Sequence, residues 1–257
     1  MTPFSVVAGR TWLPALAVVF VSLLGPQDAS ALDVGRPGSI AGSGPVVTEH
    51  RDVERFQALR LDTDARVVVR QGDRVSVEVR AEGNVASLIE TRVEDGTLVV
   101  TDRKRFKSSS AEVVVTARRI ESIATRGSVS VLAQDLTGPS LRLSLGGSSA
   151  VTVRSASLVK LHASLGGSSA LKLSGTTDEL VAQLGGSSVM QAAELAAGAV
   201  SIQAGGSAQA VVWAKGSLLA SLGGSSGLGY YGQASPTVAT AGSATVKSLG
   251  DAPAKQP

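Results

Sequence analysis

Residues 141–153 read LRLSLGGSSAVTV, and residues 161–173 read LHASLGGSSALKL. The shared corner Gly146-Gly147-Ser148-Ser149 returns as Gly166-Gly167-Ser168-Ser169, Gly185-Gly186-Ser187-Ser188, Gly205-Gly206-Ser207-Ala208 and Gly223-Gly224-Ser225-Ser226. Weaker copies stand at Arg126-Gly127-Ser128 and at Ala241-Gly242-Ser243-Ala244. From second glycine to second glycine the steps are 20, 20, 19, 20, 18 and 18 residues. A fixed period of this length is the signature of a repeat architecture, in which one short unit is stacked many times.

The residues before each corner decide what is stacked. One residue ahead of the first glycine stand Leu145, Leu165, Leu184, Ala204 and Leu222; three ahead stand Leu143, Ala163, Ala182, Ile202 and Ala220; five ahead stand Leu141, Leu161, Leu180, Val200 and Leu218. The position two ahead is always polar: Ser144, Ser164, Gln183, Gln203, Ser221. Alternation with period two is a strand with one buried face. Beyond the corner, Val151, Leu171, Met190, Ala210 and Leu228, then Val153, Leu173, Ala192, Val212 and Tyr230, start a second strand. A helix is excluded: these positions share no helical face, and each interior glycine would cost about 1 kcal/mol relative to alanine. Short strands running the same way once per repeat make a parallel β-helix. Its coils bury their apolar faces only by stacking on one another.

The expected fold is therefore all-β, a parallel β-helix of about six coils of 18–20 residues, with antiparallel strands and hairpins from the N-terminal section covering one end. Gly175-Thr176-Thr177-Asp178 reads as the clearest turn closing a coil. The paired glycines Gly146, Gly147, Gly166, Gly167, Gly185, Gly186, Gly205, Gly206, Gly223 and Gly224 read as structural corners, and the serines as a hydrogen-bonded ladder repeating every ~4.8 Å. A phosphate loop would need a lysine after the glycines, and a serine nucleophile would need a G-x-S-x-G elbow; neither is present.

Working outward, residues 1–31 read as a secretory signal: Arg10, an apolar run from Leu13 to Leu24, and the small-residue site Ala29-Ser30-Ala31. The run is too short to span a bilayer, so no integral membrane segment is expected after cleavage. Residues 32–46, rich in Gly and Pro, read as a flexible linker, and 249–257 as a polar tail. Residues 47–126 form a charged N-terminal β section, with a hairpin expected at Glu94-Asp95-Gly96 between 89–93 and 97–101; residues 127–248 carry the repeats. The 257-residue chain has no cysteine, which excludes a disulfide framework and a lipid-anchored lipoprotein. A net charge of +3 and one basic run, Arg103 to Lys107, do not argue for nucleic acid. The expected location is exported: periplasm, cell surface or extracellular.

Catalytic and metal chemistry have little to work with. The acids of the repeats, Asp135, Asp178, Glu179 and Glu194, occupy no equivalent positions; Asp178 and Glu179 read as turn residues. The histidines, His50 and His162, are isolated, with His162 at an outward position matched by Arg142 one coil earlier. No catalytic, metal or cofactor site is expected. Trp213 and Tyr231 each lie seven residues after a second corner glycine and so belong on adjacent coils; with Tyr230 they make an aromatic cluster. It reads either as a ligand platform or as a cover for the C-terminal end of the core.

The order of charged N-terminal strands with EDGTLVV, corners of the LGGSSALKLSG type every 20 residues, and Tyr230-Tyr231-Gly232 closing on ATAGSATV resembles the family described as putative auto-transporter adhesin, head GIN domain, across residues 47–248. The corner departs from the family's usual Ser-Gly-Ser-Gly-Asp: Ala150, Ala170 or Val189 stands where the aspartate would be, so a carboxylate ladder is missing. The resemblance implies an exported all-β solenoid without catalytic residues. It points to an adhesin or envelope scaffold that binds a glycan or protein of the cell surface. A carbohydrate-active β-helix enzyme and a self-associating module, forming homo-oligomers through stacked coil ends, are the alternatives.

Overall fold

The computed structural model describes residues 38–251. The signal reading of 1–31, the first part of the linker and the tail from 252 onward lie outside the described residues. The described chain is a parallel β-helix whose layers are bonded edge to edge into one continuous sheet.

The N-terminal section enters with β1 (Ile40–Ala41) and β2 (Val46–Arg51), then lays down β3 (Ala58–Asp62) and β4 (Arg66–Gln71). Next come β5 (Ser76–Glu82), the single helical turn α1 (Gly83–Ala86), β6 (Ile89–Glu94), β7 (Thr97–Asp102), β8 (Phe106–Lys107) and β9 (Glu112–Ala117). The expected hairpin is present. β6 and β7 pair antiparallel across Asp95 and Gly96, whose φ of 48° and 70° suit a two-residue turn that follows the strand twist.

The antiparallel strands expected over this end are present, and they are joined there by parallel layers. β2 and β5 are antiparallel, as are β5 and β9. But β3 lies parallel to β7 on one side and to β10 (Ser122–Thr125) on the other, and β4 lies parallel to β9 and to β11 (Ser130–Gln134). The solenoid therefore continues for two layers below the first repeat. Leu59, Leu61, Val67, Val69, Leu98, Val100, Val113 and Val115 supply the same inward alternation as the repeats, and all are buried. The layers are not stacked in chain order: β7 and β9 lie outside β3 and β4, and the chain then steps back to β10.

The repeats follow as β12 (Thr137–Leu145), β13 (Ala150–Leu165), β14 (Ala170–Leu184), β15 (Val189–Ala204), β16 (Gln209–Leu222), β17 (Gly227–Tyr231), β18 (Pro236–Thr240) and β19 (Thr245–Ser248). All fifteen aliphatic residues ahead of the five full corners are buried, none more than 8 % exposed. Fully burying one such side chain is worth roughly 1.5–3 kcal/mol, and stacking repeats the contribution at every coil.

Two local readings are corrected. Gly175 to Asp178 is not a turn: β14 runs unbroken from Ala170 to Leu184, and the pairing continues from Ala156↔Gly175 to Leu158↔Thr177. The coils close by bending extended strands at bulges, with register slips between Val153 and Ala156 and between Lys172 and Ser174, so Glu179 is a strand residue paired with Lys160. Nor do the serine hydroxyls form a ladder. The ladder at the corner is backbone: Ser148 N–H donates to Gly127 O, Ser168 N–H to Gly147 O and Ser187 N–H to Gly167 O, each at 2.8 Å. The second serine turns inward, and where it bonds it donates to its own corner, Ser149 Oγ to Gly146 O and Ser226 Oγ to Gly223 O, both at 2.9 Å.

The stretch read as linker is already fastened from Ile40 onward. Ile40 N–H donates to Arg105 O and Gly42 N–H to Lys107 O, both at 2.9 Å. Asn84 grips the same segment with its side chain, donating to Ala41 O at 2.8 Å and accepting from Ser43 N–H at 2.9 Å. Composition showed the glycines but not this distant amide.

Candidate ligand groove along the corner column

The two glycines of a corner have different jobs. The second ones have φ between 68° and 73°, a left-handed conformation natural to glycine. A Cβ there would stand 2.4–2.7 Å from the carbonyl oxygen of the glycine one coil below. Both facts make the second glycine a requirement of the fold.

The first glycines carry neither requirement. Gly146, Gly166, Gly185, Gly205 and Gly223 lie outside the left-handed region. An added Cβ would meet its nearest atom at 3.6, 3.9 and 3.9 Å for the first three, nothing within 4 Å for Gly205, and an atom at 4.0 Å for Gly223. The fold leaves room for a side chain at each of these positions, yet every full corner omits one.

Those glycines floor a groove of about 940 Å³ that follows the corner column from Ala124 to Ala241. One wall is the polar column that precedes the corner, held in register as Ser144↔Ser164, Ser164↔Gln183, Gln183↔Gln203 and Gln203↔Ser221. With coils ~4.8 Å apart, the six steps from the Arg126 corner to the Ala241 corner make the groove about 29 Å long. The weaker corner copies end the bare floor: Arg126 occupies the first-glycine position at one end and Ala241 at the other. No carboxylate lines the groove, and Arg126 is its single charged residue. Hydroxyl and amide groups at a regular spacing over an unobstructed floor suit a long, narrow, hydroxyl-rich chain.

Two of the four acids of the repeats are engaged away from the groove. Glu179 pairs with Lys160 at 2.7 Å and Glu194 with Lys172 at 3.0 Å, each across neighbouring coils. The basic run is likewise matched: Arg103 pairs with Glu90, Arg105 with Asp64 at 2.8 Å, and Phe106 is buried. Among the described residues no group of three or more His, Cys, Asp or Glu side chains could hold a metal. No helix there is long and apolar enough to cross a membrane.

Among the described residues Asp102 is a carboxyl held well above its ordinary range. It accepts hydrogen bonds from Thr63 Oγ1 at 2.7 Å and Asp64 N–H at 2.6 Å. Burial pushes its pKa up to about 6, with the charges of Asp64 and Asp62 adding to the rise and the hydrogen bonds from Thr63 and Asp64 opposing it. This cluster stands at the layer beneath the first repeat, where Asp62-Thr63-Asp64 replaces the glycine corner.

The aromatic residues fall on neighbouring coils. Trp213 and Tyr231 are register partners, both half-buried at outward positions, and Tyr230 packs partly against the core. None of the three lines the corner groove. The groove itself was missed in reading the sequence. Its signal was the first glycine of each pair, which the bend alone did not explain.

Solved structures share this architecture. A putative adhesin from Bacteroides fragilis NCTC 9343 superposes with a TM-score of 0.77 at 22 % identity, covering 82 % of this chain and 100 % of that one. A putative lipid binding protein from Parabacteroides distasonis ATCC 8503 gives 0.68 at 18 % identity, covering 82 % and 99 %. A putative adhesin from Parabacteroides merdae ATCC 43184 gives 0.67 at 18 % identity, covering 82 % and 99 %. At these identities the likeness establishes the fold. No curated protein matches the sequence significantly. The match that reaches beyond fold is to a family model spanning residues 55–234, and by it the chain belongs to the family described as putative auto-transporter adhesin, head GIN domain.

Proposed function

We propose that the chain is an exported, non-enzymatic, adhesin-like protein that holds an extended glycan of a cell surface in the corner groove. The observation that carries this is the bare floor: five glycines in a row at a position where the backbone does not ask for glycine. The polar column of Ser144, Ser164, Gln183, Gln203 and Ser221 along the groove favours a hydroxyl-rich polymer, whose sugar faces can also rest on the leucines between that column and the glycine floor. The adhesin descriptions of the family and of two of the neighbours support a binding role. The pairing of Glu179 and Glu194 with lysines, away from the groove, supports a role without bond cleavage.

Filling the floor tests the reading. Gly185→Leu and Gly205→Leu place a side chain where there is room for it, so both variants should melt within a few degrees of the parent. On an array of defined oligosaccharides the parent should bind a subset of linear glycans, recovered uncut by mass spectrometry, and both variants should lose them. A parent that binds no glycan, or folded variants that bind as well as the parent, would defeat the proposal.

A further inference from the structure

Beside the corner groove lies a second concavity of about 840 Å³, and its chemistry is cationic. It follows one column of the sheet across five layers, through the register pairs Thr97↔Ala58, Ala58↔Ser122, Ser122↔Arg142 and Arg142↔His162. Arg55, Arg118, Arg119, Arg142 and Lys160 line it, against the acids Asp95 and Glu121.

Local pairing does not cancel this charge. Arg119 holds Glu121 at 2.9 Å and Lys160 holds Glu179 at 2.7 Å. Arg118 donates to the neutral carbonyl of Asp73. Arg55 and Arg142 are exposed, and their guanidinium groups have no hydrogen-bond or ion-pair partner among the described residues. The hydroxyls of Ser122 and Ser140 line the same concavity. Guanidinium groups beside hydroxyl donors in a concave site are suited to an oxyanion, which they hold by charge-assisted hydrogen bonds.

The concavity adjoins the groove. Arg142 and Ser144 are outward residues of one strand, as are His162 and Ser164, so each pair is separated by two residues, about 7 Å along the strand. Arg126 caps the groove at this same N-terminal end. A chain lying in the groove would reach the cationic concavity without bending away from the face.

We infer that this concavity is an anion subsite, and that the glycan bound by the protein is an acidic one. Its carboxylate, sulfate or phosphate group sits on Arg55 and Arg142 while the neutral part of the chain runs along the glycine floor. The glycan identity rests on the groove reading, whereas the anion subsite stands on its own side chains. A glycan is favoured over a membrane because the lining is concave and, of its large apolar residues, Phe56 and Leu141 are buried and Val75 is half-buried.

The test uses one polymer with and without charge: a defined oligogalacturonate and its methyl ester, titrated into the protein by calorimetry. The acid form should bind about tenfold tighter than the ester, and the preference should shrink as salt rises. Arg55→Ser with Arg142→Ser should reduce the preference to about two- to threefold, while Arg55→Lys with Arg142→Lys, which keeps the charge, should retain most of it. Gly205→Leu separates the two readings. If it leaves acid binding intact while the serine variant abolishes it, the subsite stands and the groove reading fails. If it abolishes binding of both forms while the serine variant keeps the full acid preference, the groove stands and the subsite fails. Absence of any acid preference, or binding to phosphatidylglycerol vesicles without binding to oligogalacturonate, overturns the inference.

Discussion

A Cβ on Gly167 would lie 2.5 Å from the carbonyl oxygen of Gly147, the second glycine of the coil below. That oxygen cannot move aside, because it already accepts the N–H of Ser168 at 2.8 Å. Gly167→Ala therefore meets a backbone clash in addition to a φ of 68°. We expect it to cost at least about 2–3 kcal/mol in urea unfolding. Gly166→Ala, one residue earlier, has its nearest neighbour at 3.9 Å and should change stability by less than about 1 kcal/mol. Equal effects would mean that the two glycines do not divide the work as the geometry indicates.

The inward serines divide in a similar way. Ser149 Oγ bonds both Thr125 Oγ1 at 2.8 Å and Gly146 O at 2.9 Å. Ser188 Oγ is buried with no partner among the described residues, and the next coil has Ala208 at the same place. Ser149→Ala should cost about 1–2 kcal/mol, because it strands a buried hydroxyl on Thr125. Ser188→Ala removes an unsatisfied group and should be neutral or slightly stabilising. Chemical denaturation of the two variants side by side decides it: a large loss for Ser188→Ala would show that its hydroxyl is bonded after all.

Asp102 makes stability depend on pH. In the unfolded chain its carboxyl ionises near 3.8, and in the folded chain near 6. Over that window the folded state binds more protons, so the contribution of Asp102 is complete below about 3.8 and is lost as pH rises through about 6. Relative to Asp102→Asn, the parent should gain about 1–2 kcal/mol on acidification from neutral pH to about pH 4, a figure reduced for its partial contact with solvent. Urea midpoints of both proteins across that range provide the measurement. A constant difference between the two would remove Asp102 from the account.

The aromatic pair has an expected outcome as well. Trp213 and Tyr231 are cross-coil neighbours, and Tyr230 leans on the core near the last coil. Trp213→Ala and Tyr231→Ala should each destabilise by about 1–2 kcal/mol through lost contact area and pairing. Neither should alter oligogalacturonate affinity, because neither residue lines the groove or the cationic concavity. Loss of affinity without loss of stability would restore the aromatic platform as a binding surface.

What the chain discloses in advance follows from its periods. Leu145, Leu165, Leu184 and Leu222 are spaced so evenly that their burial is readable from alternation alone. The third inward run of each coil was not. Ala156 and Leu158 align with Gly175 and Thr177 in the next coil, then with Leu195 and Ala197, so polar or side-chain-free residues interrupt the apolar column. The bulges also shift the count by a residue, which hides the alignment. The N-terminal strands were legible as strands covering the first coil, but their parallel stacking was hidden for a related reason: Asp62-Thr63-Asp64 turns the corner without a glycine pair. The groove and its cationic neighbour arise from register between coils, as in Arg142↔His162, and only one such pair was visible from spacing.

The C-terminal end of the solenoid leaves two strands half-paired. β18 bonds to β16 and β19 to β17, and among the described residues neither has a partner on its other edge. Val238 is 37 % exposed and Leu249 36 %, so the end of the core is only thinly covered. Open parallel edges with apolar residues invite a second copy to add its own strands. Pro236 opposes this at the start of β18, because it offers no N–H, and Lys247 opposes it in β19 by placing charge on the edge strand. Pro236→Thr combined with Lys247→Thr should therefore raise the apparent mass in light scattering as concentration increases, while the parent stays at lower mass. Adding Val238→Lys to that double variant should return it toward the parent. An unchanged mass in the double variant would show that the edge is protected by something other than these two residues.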